Sequence, residues 1–261
     1  MNETTAPACI EVQDLTLAHG DFVLLRDANF TVRCGDIFII MGGSGCGKST
    51  LLRTLIGLQA PVTGSVRYGE TDFWRCTEDE RQGMLRHIGV LYQGGALWTS
   101  MTLAENVALP LSRYTTLCNE EIYEQACLKL ALVGLAGFEH YYPAEISGGM
   151  RKRAGLARAL ALDPRILFFD EPSAGLDPVS SHNLDALILQ LRQSLDMTFV
   201  VVTHELASIF AIGSNAIFLN RETRSAEVCG DPKALPHSAS SAQVRNFLTR
   251  GAAGRRDNHA Q

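Results

Sequence analysis

At 261 residues, with 46% hydrophobic and 20% charged residues, the chain has ample material for a packed core and suits one compact domain with an embellishment. Its 23 basic against 28 acidic residues give a formal charge of −5, so no global charge argument favours nucleic acid or an anionic bilayer as the main partner. The seven cysteines (Cys9, Cys34, Cys46, Cys76, Cys118, Cys127 and Cys229) are scattered without a C-x-x-C pair, and free thiols in a reducing cytosol are the simplest expectation.

Residues 1–8 are polar, lack a basic start and precede no apolar core, so they do not read as a secretory signal. Residues 10–17 and 28–32 alternate apolar with polar, the pattern of half-buried antiparallel strands in a small sheet. Three later runs, 37–41, 166–169 and 199–202, are continuously apolar and β-branched or aromatic, as strands buried on both faces are. Each ends in polar residues, and ligands of parallel α/β sheets bind outside the carboxyl ends of the strands, so three strand ends converge on one site. Between the first two runs, residues 102–162 are mostly helical, with helical spacing over Glu121 to Leu128. They form an inserted helical subdomain spanning about 95–162. The apolar stretches 128–138 and 154–162 are interrupted by Lys129 and Arg158 and are too short to cross a bilayer, so any membrane role is peripheral. From residue 231 to 261 the chain reads as a tail with one docking segment, 244–248, which leaves 9–230 as the main domain.

Chemistry concentrates in three places. Gly42, Gly43, Ser44, Gly45, Cys46, Gly47, Lys48, Ser49 and Thr50 fit G-x-x-x-x-G-K-S/T between an apolar strand and a helical run. Such a loop points backbone N–H groups at a phosphate chain, while Lys48 reaches the β and γ phosphates and Ser49 ligates Mg²⁺. The run 166–169 ends in Asp170, suited to the Mg²⁺ shell, and Glu171, suited to polarising the attacking water. Taken alone, that pair would equally cap the helix after Pro172. Ser147, Gly148 and Gly149 open a third element, a helix start that is a second anion site or, in isolation, only an N-cap.

This last stretch, Ile146-Ser147-Gly148-Gly149-Met150, closely resembles the signature of ABC ATPases, and the rest of their set is in register: Gln93 as glutamine loop, Ser173 to Asp177 as D-loop, His204 as switch histidine. The resemblance implies an α/β fold, a P-loop NTPase (RecA-like) core with a mainly parallel sheet, an N-terminal antiparallel β subdomain and the inserted helical subdomain. It also implies ATP and Mg²⁺ as ligands and a homodimer in which Ser147, Gly148 and Gly149 of one chain meet ATP held by the other. On it Glu171, His204 and Lys48 are catalytic, Asp177 links the two sites, and Ser49, Gln93 and Asp170 serve the metal. His19 stands where the family usually has an adenine-stacking aromatic residue. It can stack less strongly or be an ordinary turn histidine.

Tyr92 to Leu111, the Ser-Gly-Gly-Met signature followed by basic residues, and Val244 to Leu248 resemble one branch, the ATPases of Mla-type (MCE-associated) lipid transporters. That implies a phospholipid cargo, an integral-membrane permease dimer, a periplasmic MCE protein reached through the permease, and a peripheral place on the cytoplasmic side of a Gram-negative inner membrane. Ala96, Leu97, Trp98 and Met101 are either a groove for a partner's short helix or ordinary interior contacts. Another ABC importer or exporter is the alternative reading. A non-transport ABC ATPase would bring a second domain or a long coiled coil, and a small-molecule P-loop kinase would not need the Ser-Gly-Gly helix start.

Overall fold

The computed structural model describes residues 7–235 and 241–253, so the polar start over residues 1–6 and the basic end at Arg255-Arg256 lie outside the described residues, as does the Cys229 side chain. Contacts divide the chain into two compact units, residues 1–76 with 200–261, and residues 77–199. Among the described residues no helix is long and apolar enough to cross a membrane.

In the first unit, β1 (Ala8–His19) and β2 (Phe22–Arg33) form an antiparallel hairpin. With β4 (Thr63–Tyr68) and β5 (Thr71–Asp72) they make a four-stranded sheet of order β2-β1-β4-β5. The apolar alternation in β1 changes phase: Ile10 and Val12 are buried, then Leu15 and Leu17. A register shift between Val12 and Leu15, with Asp14 at φ 47°, absorbs the extra residue as a β-bulge and keeps all four side chains on the core face. Asn29 of β2 holds the bulge, accepting from Asp14 N (3.0 Å) and donating to Asp14 Oδ1 (3.1 Å).

The same hairpin corrects the expectation of seven free thiols. Its pairing brings Cys9 and Cys34, 25 positions apart, to a Cα separation of 5.0 Å, and they form a disulfide. Cys46, Cys76, Cys118 and Cys127 are free.

The second sheet of this unit runs β10-β9-β3-β8, with β3 (Ile37–Gly42) wholly buried, β8 (Thr198–Val202), β9 (Asn215–Asn220) parallel to β3, and β10 (Ser225–Gly230) antiparallel to β9. Helix α1 (Lys48–Leu55) follows β3, and α7 (Leu206–Ile212) follows β8. The last helix, α8 (Ala242–Ala253), buries Val244 and Leu248 and sets Phe247 edge-on to Phe218. Its Gln243 bonds Asn220 and Glu222, so this helix packs on its own unit.

The second unit joins β6 (Ile88–Leu91) in parallel to β7 (Ile166–Asp170). Around them lie α2 (Glu78–Leu85), α3 (Leu103–Tyr114), α4 (Asn119–Leu132), α5 (Gly148–Ala159) and α6 (Pro178–Leu195). Capping boxes start α2 (Thr77 with Glu80) and α3 (Thr102 with Glu105). Helix α3 buries Leu103, Ala104, Asn106, Val107 and Leu111, one stripe of a 3.6-residue period. Lys129, which interrupts an apolar stretch of α4, is buried along its stem, and its ammonium pairs with Asp163 at 2.5 Å.

Candidate functional site

In the first unit β3 ends at Gly42 and the chain turns into α1 through Gly43 to Gly47. A Cβ at Gly42 would lie 2.7 Å from both Cys46 Sγ and Leu219 O, so the loop closes this tightly only with glycine there. The cap of α1 is Gly47 at φ 100°, and no side chain caps the helix start, which leaves its N–H groups for an anion. Lys48 Nζ donates to the carbonyls of Gly42 and Gly43, both at 3.0 Å, and so rests across the mouth of the loop. Ser44 and Gly45 are exposed, whereas Cys46 is buried, and burial pushes its thiol pKa up against the opposing charge of Lys48. Thr203 N bonds Ile40 O (3.3 Å), which sets the next residue, the exposed His204, just beyond β8 at the level of β3's end. His19 is exposed at the hairpin turn, directly across from Phe22. Phe22 is 56% exposed with the Arg224 guanidinium 4.7 Å from its ring centre, an aromatic surface that sequence reading passed over.

In the second unit the register Leu91↔Phe169 places the ends of β6 and β7 side by side. Gln93 follows one end and Asp170-Glu171 the other. Glu171 has φ 48°, a left-handed conformation that costs a non-glycine residue on the order of 1–3 kcal/mol. Its carbonyl accepts from Ala174 N (3.2 Å) and from Lys152 Nζ (3.4 Å), and the same ammonium donates to the Gln93 carbonyl. The loop after Gln93 is tied down further. Arg158 donates to Ala96 O (2.7 Å) and Gly95 O (3.0 Å), and burial lowers the pKa of its guanidinium. Asn106, fully buried, accepts from Trp98 N (2.8 Å) and donates to the carbonyls of Trp98, Met101 and Thr102.

Helix α5 begins with Ser147 as its N-cap, Oγ accepting from Met150 N at 3.2 Å. Ser147 is exposed, and the two glycines after it are half-buried. A Cβ on Gly149 would sit 3.3 Å from Ser180 Oγ, so the missing side chain lets the start of α6 approach the start of α5. Asp177 caps α6, its carboxylate accepting from Val179 N and Ser180 N at 3.0 Å each. Hydrogen bonds from Ser180, first its hydroxyl and then its main chain, hold that carboxyl below its ordinary value.

A cavity of about 640 Å³ lies beside Tyr92, with Leu85, Arg86, Leu109 and Arg113 among its walls, and Ala96, Leu97, Trp98 and Met101 do not line it. The first unit thus carries residues 42–50 and His204. The second carries Gln93, Asp170, Glu171, Ser147 to Gly149 and Asp177. Lys152, Arg158 and Asn106 were missed by sequence reading. Burial is what marks Lys152 and Asn106, and it shows only in three dimensions.

Comparisons with known proteins bear on the family and the fold. The ABC transporter family model matches residues 25–174. The chain is 41% identical over 239 residues to the probable ribonucleotide transport ATP-binding protein mkl of Mycobacterium bovis, a match that takes in 92% of this chain but only 66% of that relative's length. It is 39% identical over 210 residues, 80% of each chain, to the intermembrane phospholipid transport system ATP-binding protein MlaF of Haemophilus influenzae. Its fold matches the dimeric ATP-binding cassette MJ0796 in a post-hydrolysis state bound to ADP and Pi, with TM-score 0.75 and 29% identity over 84% of this chain and 98% of that one.

Proposed function

The chain belongs to the ABC transporter family, and on that premise we propose that it is an ATP-hydrolysing subunit working as one half of a nucleotide-sandwiching dimer under an integral-membrane permease dimer. The observation that carries this reading is the glycine loop that leaves a fully buried strand at Gly42 and opens α1 with uncapped N–H groups and Lys48 at its mouth. ATP phosphates bind those amides, and Lys48 exchanges the carbonyls of Gly42 and Gly43 for the β and γ phosphates. Ser49, Gln93 and Asp170 each carry an oxygen donor, the chemistry Mg²⁺ takes, and would hold the ion, whose charge would offset that of the phosphates. Glu171 orients and deprotonates the water that attacks the γ-phosphorus, and His204 contacts the γ-phosphate. Ser147 and Gly149 of the partner copy close on the same phosphate through the N-terminus of α5. ATP therefore favours the closed dimer, and cleavage of the γ-phosphate releases it.

For cargo we favour phospholipid moved between the inner and outer membranes of a Gram-negative envelope, with a periplasmic MCE protein reached through the permease and the ATPase held on the cytoplasmic side of the inner membrane. Support comes from the MlaF relative, the Ser-Gly-Gly-Met signature with its basic residues, and the segment Val244 to Leu248 carried on α8. The cavity beside Tyr92 suits a short permease helix, and Arg86 and Arg113 on its walls favour an acidic residue on that helix. A second reading, a different cargo, has one observation behind it: the name of the mycobacterial relative. Affinity purification from native membranes, with mass spectrometry of co-purifying proteins and lipids, separates the two. An MCE protein with phospholipid is the expected result. A soluble substrate-binding protein without bound lipid would move the cargo to the second reading.

A further inference from the structure

Arg151-Lys152-Arg153 is the basic run that follows the signature, and its three side chains have different surroundings. Arg151 is exposed and Arg153 half-buried, while Lys152 is only 6% exposed. Removing an ammonium from water is costly unless strong acceptors meet it. Here Lys152 Nζ donates to the main-chain carbonyls of Gln93 and Glu171, on two segments 78 positions apart (171 − 93) that leave adjacent parallel strands. The carbonyl it holds on Glu171 belongs to a residue in a left-handed conformation, so the contact bears on the backbone torsion that aims the Glu171 carboxylate. The lysine itself stands in the second turn of α5, the helix whose first residues are Gly148 and Gly149.

We propose that Lys152 is a positioning residue for hydrolysis: through its ammonium, the signature helix holds the Glu171 backbone in its strained conformation and fixes it to the glutamine loop. This rests on the reading of Glu171 as the general base. It assigns to a signature-helix side chain a task in the chain's own Gln93-Glu171 pair, beyond the contact that the helix start makes with the partner's nucleotide. A neutral side chain of similar length would keep the packing and lose the tie. Displacing a general base without removing it lowers kcat and leaves substrate binding alone, and a displacement of about 1 Å costs up to about 100-fold.

The test uses the full chain and steady-state ATP hydrolysis in four variants: Lys152→Met, Lys152→Arg, Glu171→Gln, and the double variant Lys152→Met with Glu171→Gln. Lys152→Met is expected to lose about 10- to 100-fold in kcat with KM for ATP within about twofold of the parent. Lys152→Arg, which retains a charged donor, is expected to recover most of that loss. In the double variant the Lys152 change is expected to cost nothing further, because two residues acting through one step are not additive. Should Lys152→Met fail to fold, Lys152→Gln, with a neutral donor and less burial cost, carries the same comparison. A parental kcat in Lys152→Met, or the same fold-loss with and without Glu171, overturns the proposal while leaving Glu171 as base. A parental rate in Glu171→Gln alone removes the reading of the base, and this inference with it.

Discussion

Asp177 shows how one side chain can serve two ends. The family resemblance gives it a role between two nucleotide sites, while its carboxylate caps α6 through Val179 N and Ser180 N. Because those bonds depress its pKa in the folded chain, the stabilisation is present above the ordinary carboxylate value and is lost as pH falls through the lowered one. Asp177→Ala is expected to lower the melting temperature by roughly 2–4 °C at neutral pH, and Asp177→Asn, an equally good cap, to leave it unchanged. Melting curves of the parent and the alanine variant should converge as acid protonates the carboxyl. If the asparagine variant keeps its melting temperature but loses ATP turnover, the inter-site role is separate from the cap.

At the scale of elements, the segment from Gln93 to Thr102 has no regular structure of its own and depends on side chains from two helices. Asn106 of α3 answers the main chain of Trp98, Met101 and Thr102, and Arg158 of α5 answers Gly95 and Ala96. Replacing the fully buried Asn106 with Leu strands these groups. Its expected cost is about 1–3 kcal/mol in denaturant unfolding, with lost turnover as Gln93 becomes mobile. Element types were legible in the sequence where a pattern was sustained, as in the continuous apolar run of β3 and the helical spacing over Glu121 to Leu128 in α4. Less legible was a change of phase. The alternation of β1 breaks between Val12 and Leu15, and only the pairing with β2 shows that a bulge at Asp14 repairs it. The disulfide was hidden for the same reason: nothing in the spacing of Cys9 and Cys34 announces a neighbour across a hairpin.

For the molecule as a whole, the residues proposed to carry chemistry are short motifs with a mechanical reason for their order, so the phosphate loop, Asp170-Glu171 and the Ser147 helix start could all be named as candidates before any coordinates. Their supports could not, because a support is defined by burial and reach. Lys152 looks like surface charge, Arg158 like an interruption in an apolar helix, and Asn106 like a polar residue between Glu105 and Val107. Each has its place set by the loop it holds. Of the four residues read either as a groove for a partner helix or as interior contacts, Trp98 is 58% exposed, and none lines the cavity beside Tyr92.

The central claim is that two copies of this chain close around ATP and that Glu171 cleaves it. Sedimentation of Glu171→Gln in ATP and Mg²⁺ tests it most directly. Nucleotide binding without cleavage should shift the 28.4 kDa chain to a species of twice that mass, and ADP should not. A Glu171→Gln chain that binds ATP to saturation and stays monomeric, or one that hydrolyses ATP at the parental rate, would contradict the account.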